Sequence, residues 1–163
     1  MKFSHSKLII FSGLVWLGVG TYLLQLGLGL LLGDFQASST ASNHLPVVNA
    51  LAQYVGGMEV AAIVLLIVAL YIGYFKGRYV LGKSAKRGAD RIATLSNPAH
   101  IKQIYSAKYY ILLGGMILLG MSIKFLGLSN DIRGVVDVII GTALINGAMI
   151  YFREAKLRRA EKI

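Results

Sequence analysis

The sequence predicts a single-domain, all-α integral membrane protein with four transmembrane helices. Composition is the first observation behind this prediction. Of the 163 residues, 56% are hydrophobic and only 15% are charged, whereas soluble proteins average about 25% charged residues. The second observation is four apolar runs, each close to the roughly 20 residues that a helix needs to cross the hydrocarbon core of a bilayer. The third is the placement of the basic residues, which assigns each connection to a side of the membrane.

The four spans are predicted in order along the chain. The first run carries no charged residue and is too long for the hydrophobic segment of a secretory signal, which has about 7–15 residues. We therefore expect it to be retained as a helix. The second run is the longest and the fourth is the shortest, and each is long enough to cross the bilayer. The predicted spans are 8–33, 47–75, 109–128 and 135–152.

The connections predict the orientation of the chain. The first connection, 34–46, has no Lys or Arg, and the third, 129–134, has only Arg133. The middle connection, 76–108, and the tail, 153–163, are rich in both. Under the positive-inside rule these two basic segments and both termini lie in the cytoplasm. Because no organelle address is visible, we expect a bacterial-type inner membrane.

The middle connection is predicted to contain a short basic helix, at about 83–95, on the membrane surface. Its basic side chains have two interpretations. They bind anionic lipid headgroups, at roughly 1 kcal/mol for each basic residue near the surface, or they only fix the topology. The second effect applies in either case. The candidates for headgroup binding are Lys83, Lys86, Arg87 and Arg91.

The four spans also suggest two tandem helical hairpins. Residues 12–20 resemble residues 114–122, and residues 74–78 resemble residues 151–155. Both halves would enter from the cytoplasm and return to it, so they would be related by an axis along the membrane normal. The alternative is chance similarity, since apolar helices rich in Gly and Leu match one another easily.

Four polar side chains within the spans are the candidate functional residues. Glu59, Lys124 and Asp137 each lie 16 or 17 residues from a basic residue at the predicted cytoplasmic flank. At 1.5 Å per residue, this places them about 24–26 Å from that flank, in one layer that also includes Gln25. Small residues recur at helical spacing beside each of the four, so we expect all four side chains to face protein and not lipid.

This polar layer has a functional and a structural interpretation. In the first, Glu59 binds a proton or a cation, while Asp137 and Lys124 gate or charge a pathway. In the second, Lys124 pairs with Asp137 across a hairpin, and Glu59 forms a hydrogen bond with Gln25 or Thr21. The structural interpretation is favoured for the Lys124–Asp137 pair. The functional one is favoured for Glu59, because ionisable groups within a membrane are functional candidates by default.

Several classes of function are excluded or lack support. The chain has no cysteine, which excludes disulfides, thiolate metal sites and cysteine nucleophiles. Its three histidines lie outside the apolar runs, so no haem-ligating pair is expected. No P-loop, dinucleotide-binding, HExxH or GxSxG motif is present, so we expect neither an enzyme nor a bound metal or cofactor. The net charge of +10 flanks the spans and gives no support for nucleic-acid binding.

Two functions remain as hypotheses. The first is a small transporter or channel subunit, linked to protons or cations through the polar layer. It would act as an oligomer because four short spans enclose little volume. The second is a noncatalytic membrane subunit whose Gly-rich faces bind other helices. The expected partners are the lipid bilayer, anionic headgroups on its cytoplasmic face, and either further copies of the chain or another membrane subunit.

Overall fold

A computed structural model of the chain describes residues 2–3, 5–33, 45–94, 99–100 and 127–160. This part of the chain is almost entirely helical. A two-residue antiparallel ladder joins β1 (Lys2–Phe3) to β2 (Ala99–His100). The helices are α1 (His5–Leu32), α2 (Pro46–Val55), α3 (Met58–Lys76), α4 (Gly82–Thr94) and α5 (Asn130–Ala160), and a π-helical turn, Gly77–Leu81, joins α3 to α4.

Three stretches of the described chain are long and apolar enough to cross a membrane. They are Ser6–Leu32, Met58–Ile92 and Asn130–Arg159. They overlap the first, second and fourth predicted spans, so the prediction of a helical protein of membrane type is confirmed at that level. The third predicted span, 109–128, lies almost wholly outside the described residues. The fourth membrane helix and the cytoplasmic location of the termini stay predictions.

The single helix predicted over 47–75 is wrong, because the chain reverses at Gly56 and Gly57. These residues have φ angles of 90° and 153°, in a region that side-chain-bearing residues rarely adopt. The Gly56 N–H still donates to the Ala52 carbonyl and closes α2. Beyond the turn, α2 folds back on α3, and Val48 packs in a cluster that contains Ala61. An apolar run reads the same whether it continues or reverses, so only the glycine pair signals this break.

Helices α1 and α5 are antiparallel and pack with their backbones in contact. A Cβ atom built at Gly20 would lie 2.9 Å from the carbonyl oxygen of Gly141, and one built at Gly27 would lie 2.7 Å from that of Gly134. Gly13, a further seven residues back, packs on the other end of α5. Glycines spaced by seven allow this approach along one face of each helix, as small residues do in membrane helix pairs.

The α3–α4 helix runs parallel to α5. Gly73 lies against Ile139, and Gly77, at the start of the π turn, lies against Ala143. The helix then crosses α5, and Gly82 meets the side chain of Ile150. The short basic helix predicted at 83–95 is present as α4, but it continues α3 and packs on the last turns of α5.

These directions define two ends of the bundle. At the basic end, α1 begins and both α4 and α5 finish. At the hairpin end, α1 finishes, α2 and α3 turn, and α5 begins. An apolar cluster closes the basic end, with Trp16 and Tyr151 in edge-to-face contact at a centroid distance of 5.4 Å. The buried members of this cluster are Leu8, Ile9, Trp16, Ala85, Ala89, Ile92, Leu144, Ala148, Tyr151 and Ala155.

Candidate functional site

The polar layer predicted from the sequence does not form between α3 and α5. Gly73 of α3 lies beside Ile139 and Thr142 of α5, which sets the register between these parallel helices. Glu59 precedes Gly73 by 14 residues, whereas Asp137 precedes Ile139 by two and Thr142 by five. At 1.5 Å per residue, Glu59 therefore lies about 14–18 Å nearer the hairpin end than Asp137.

The layer was misplaced because the basic residues used as its reference are not level with one another. Gly77 packs on Ala143, so the neighbouring Lys76 lies near that level of α5. Arg153 follows Ala143 by ten residues, which is about 15 Å further along the helix. Two basic flanks at different depths therefore made Glu59 and Asp137 look equally deep.

The predicted site residues also differ in exposure. Gln25 and Glu59 are exposed, contrary to the expectation that they face protein, and Asp137 is half-buried on α5. Glu59 lies in the first turn of α3, where a carboxylate complements the positive end of the helix dipole. The helical register that placed it among small residues is interrupted at Gly56. Lys124, and with it the Lys124–Asp137 pair, lies outside the described residues.

Asp131 is the buried acidic residue that the sequence analysis missed. Its carboxylate is fully buried at the start of α5. Oδ2 accepts hydrogen bonds from the backbone N–H groups of Val47, at 2.6 Å, and Val48, at 3.1 Å. Oδ1 accepts from the N–H of Ile132, at 2.8 Å, and from the hydroxyl of Ser129, at 2.5 Å. Four donors therefore surround this one carboxylate.

The carboxylate of Asp131 fastens two helix starts together. The first turn of a helix has N–H groups without partners inside the helix. In α2, Pro46 carries no N–H, and the next two residues donate to Asp131. An acidic residue in the first turn of α5 was visible in the sequence, but its two partners in α2 lie more than 80 residues away. Because all four contacts stabilise backbone or local structure, Asp131 is a structural residue.

Two clefts flank α5 at the basic end, and both combine cations with apolar side chains. The α4–α5 cleft has a volume of about 460 Å³ and the α1–α5 cleft about 660 Å³. Cations and apolar groups lining the α4–α5 cleft include Arg78, Gly82, Lys83, Lys86, Ile150 and Arg153. Those lining the α1–α5 cleft include Lys7, Ile10, Phe152, Ala155, Lys156 and Arg159.

The α4–α5 cleft divides the four headgroup candidates into two groups. Lys83 and Lys86 line it, whereas Arg87 and Arg91 are exposed on α4 and do not. Sequence reasoning missed Arg78 and Arg153 as lining residues. Each sits where an apolar run gives way to basic residues, but which basic residues of two distant segments meet depends on helix register.

Acidic residues near the α4–α5 cleft are engaged by Arg158. Its guanidinium contacts Asp90, and its Nε lies 3.9 Å from Oε2 of Glu154, which also lines the cleft. Within the described ranges these are the ion pairs, so Arg78 and Arg153 have no acidic partner there. The cleft therefore holds an excess of positive charge.

Comparison with known proteins adds no assignment. No family model, curated protein or solved structure matches the chain. The described residues also contain no group of three or more His, Asp or Glu side chains placed to hold a metal ion. A function must therefore be inferred from the helix faces and clefts themselves.

Proposed function

We propose that the chain is a noncatalytic membrane subunit that associates with another transmembrane helix through the outward face of α1. The simplest partner is a second copy of the chain. The observation that carries this proposal is Gln25, an amide side chain exposed midway along an apolar helix. It lies between two exposed glycines at which an added Cβ would meet no atom of the described residues within 4 Å.

Helix α1 has glycines on two faces, and α5 occupies one of them. Gly20 and Gly27 meet the backbone of α5. Gly18 and Gly29 do not, and a Cβ at either position would find no atom of the described part of the chain within 4 Å. Gln25 lies seven residues after Gly18 and four before Gly29, so the three share one face of the helix. This open face has the small-residue composition that favours close helix contact.

The amide of Gln25 favours association of the open face with a second helix, because its polar atoms need hydrogen-bond partners. It has two N–H donors and one carbonyl acceptor, and hydrocarbon offers none of them a partner. A second helix carrying the same amide satisfies both sides at once. Hydrogen bonds of this kind between membrane helices contribute about 0.6–2 kcal/mol.

The transport hypothesis has less support. It depends on Glu59 and Asp137 acting at one level, and these residues lie about 14–18 Å apart along the bundle axis. Glu59 is exposed in the first turn of α3 and does not have the protein-facing position on which binding of a proton or cation was argued.

Cysteine cross-linking in native membranes tests the association, because the chain has no cysteine of its own. Leu14 is exposed on the open face, four residues before Gly18, and Ile67 is equally available on α3. We expect oxidation to yield disulfide dimers of Leu14→Cys and not of Ile67→Cys. Adding Gln25→Leu should weaken dimerisation roughly three- to thirtyfold, the equivalent of one interhelical hydrogen bond.

Two results would contradict the proposal. Equal cross-linking at the two cysteine positions, or none at either, would remove the self-association. A proton or cation current from the purified chain in liposomes that Glu59→Gln abolishes, with size exclusion showing matched folding, would replace the subunit with a transporter.

A further inference from the structure

The α4–α5 cleft lies where α3 and α5 each change from apolar to basic. From the contact of Gly82 with Ile150, Arg153 lies about 10 Å further along the bundle than Arg78. Helix α3 is uncharged from Val60 to Phe75, and Arg78 follows within one turn. On α5, the apolar run ends at Phe152 and Arg153 follows. A change of this kind marks the boundary between hydrocarbon and headgroups. The cleft therefore extends from the end of the hydrocarbon, at Arg78, to the depth of lipid phosphates, at Arg153, with one wall from each helix.

Exposed aromatic rings lead from the apolar part of α3 to the cleft. Tyr71 and Phe75 have ring centroids 6.3 Å apart, and Phe75 and Tyr79 4.5 Å apart. All three side chains are exposed. Such rings favour the interface between hydrocarbon and headgroups. They provide an apolar surface for an acyl chain, and the last ring, Tyr79, follows the lining residue Arg78 in the sequence.

The π turn that joins α3 to α4 lies at the cleft, and it contributes Arg78 to the lining. Residues Gly77–Leu81 form a π turn, and the N–H of Gly82 donates to the carbonyl of Gly77. Single π turns within α-helices often occur at functional sites. Because Gly82 has no side chain, Ile150 of α5 fills the space where a Cβ would lie, at 2.7 Å. The lining of the cleft thus combines Gly82 and Ile150 with cationic side chains.

We propose that the α4–α5 cleft binds the headgroup phosphate of an anionic phospholipid. Arg78, Lys83, Lys86 and Arg153 line a space of about 460 Å³, which is in the range of small-ligand sites. Arginine guanidinium groups bind phosphate oxygens in a bidentate manner, and lysines add positive charge. The one carboxylate in the lining, Glu154, lies beside Arg158 and leaves the four cations in excess.

This site differs from a general attraction of basic residues to an acidic membrane. Arg87 and Arg91 are exposed on α4, the helix that carries Lys83 and Lys86, and they have the same charge as those lysines. They nevertheless lie outside the cleft. A general attraction would depend equally on either arginine pair. A bound lipid depends on Arg78 and Arg153, which come from different helices and share one cavity.

The test compares two double variants in nanodiscs of phosphatidylcholine with a small, increasing fraction of phosphatidylglycerol. Native mass spectrometry counts the phosphatidylglycerol molecules retained by each protein. Arg78→Gln with Arg153→Gln should weaken retention roughly thirtyfold, at about 1 kcal/mol for each basic residue removed. Arg87→Gln with Arg91→Gln, which removes the same charge from α4, should change retention less than threefold.

A second double variant of the cleft controls for misfolding. Competition with soluble phosphate distinguishes a lipid headgroup from a soluble phosphate as the ligand. Lys83→Gln with Lys86→Gln, both exposed, should also weaken retention while the thermal midpoint in pure phosphatidylcholine stays at the wild-type value. Equal losses from both arginine pairs would overturn the proposal in favour of diffuse attraction. Complete displacement of phosphatidylglycerol by millimolar inorganic phosphate or glycerol phosphate would also overturn it and assign the cleft to a soluble phosphate.

Discussion

The hairpin end and the basic end of the bundle hold their charged groups in opposite ways. At the hairpin end, Asp131 is fully buried and accepts hydrogen bonds from four donors. At the basic end, Arg78 and Arg153 line an open cleft without an acidic partner in the described chain, and a cluster of buried apolar side chains packs the helices together. The carboxylate of Asp131 is saturated by hydrogen bonds and therefore stabilises the backbone. The guanidinium groups of Arg78 and Arg153 have no such partners and are available to bind a ligand.

Removing the Asp131 carboxylate should have the largest effect on stability. Asp131→Ala leaves two N–H groups at the start of α2 without this partner, that of Val48 buried and that of Val47 part-buried. Loss of a helix cap costs about 0.5–2 kcal/mol, and a buried donor left unsatisfied costs about 1–3 kcal/mol. We expect the free energy of unfolding in mixed micelles to fall by about 2–4 kcal/mol, with faster hydrogen exchange at Val47 and Val48.

Asp131→Asn is the matched control for that substitution, because the amide keeps one acceptor oxygen in the same shape. Its loss should be clearly smaller than that of Asp131→Ala. If the free energy of unfolding of Asp131→Ala is within about 0.5 kcal/mol of the wild-type value, apolar packing holds the hairpin end together, as it does the basic end. The contrast between the two ends would then disappear.

Substitution of Gly57, in the chain reversal at the hairpin end, should have the next largest effect on stability, and substitution of Gly56 is its control. Gly56 has φ 90° and ψ 17°, close to the left-handed helical region that Asn tolerates. Gly57 has φ 153° and ψ 161°, a conformation restricted almost entirely to glycine. Gly57→Asn should therefore lower the free energy of unfolding by about 1–3 kcal/mol and Gly56→Asn by less. Equal losses, measured by the same micelle unfolding, would show that the turn does not depend on these backbone angles.

The sequence predicted individual helices better than it predicted the contacts between them. Apolar length and charge identified three described spans and the basic helix α4, since both signals are local. Contacts across the bundle needed register, which local signals do not contain. Gly13, Gly20 and Gly27 were visible at a spacing of seven, yet nothing in the sequence alone pairs them with Gly134 and Gly141 of α5.

Errors in the candidate site arose from the same gap. The depth of Glu59 was counted from Lys76 and that of Asp137 from Arg153, as if both basic residues reached one plane. Contact of Gly77 with Ala143 shifts the two counts by about 15 Å. The Gly56–Gly57 pair was a local signal for a turn, but apolar residues on both sides outweighed it. Asp131 was passed over because two of its partners, Val47 and Val48, begin a different predicted span.

The ion pair of Arg158 with Asp90 should give the smallest effect, and its size measures how far packing alone holds the basic end. The two side chains join α5 to α4, but that of Asp90 is 54% exposed, and exposed pairs contribute roughly 0–1 kcal/mol. Beneath them, Ala89 and Tyr151 are buried in the apolar cluster whether or not the pair is present. Asp90→Asn should therefore lower the free energy of unfolding by less than about 1 kcal/mol. This difference should vanish in about 1 M salt, because screening at that ionic strength acts within about 3 Å. A loss above about 2 kcal/mol that persists in high salt would mean that an engaged charge organises this end too, as Asp131 does at the other.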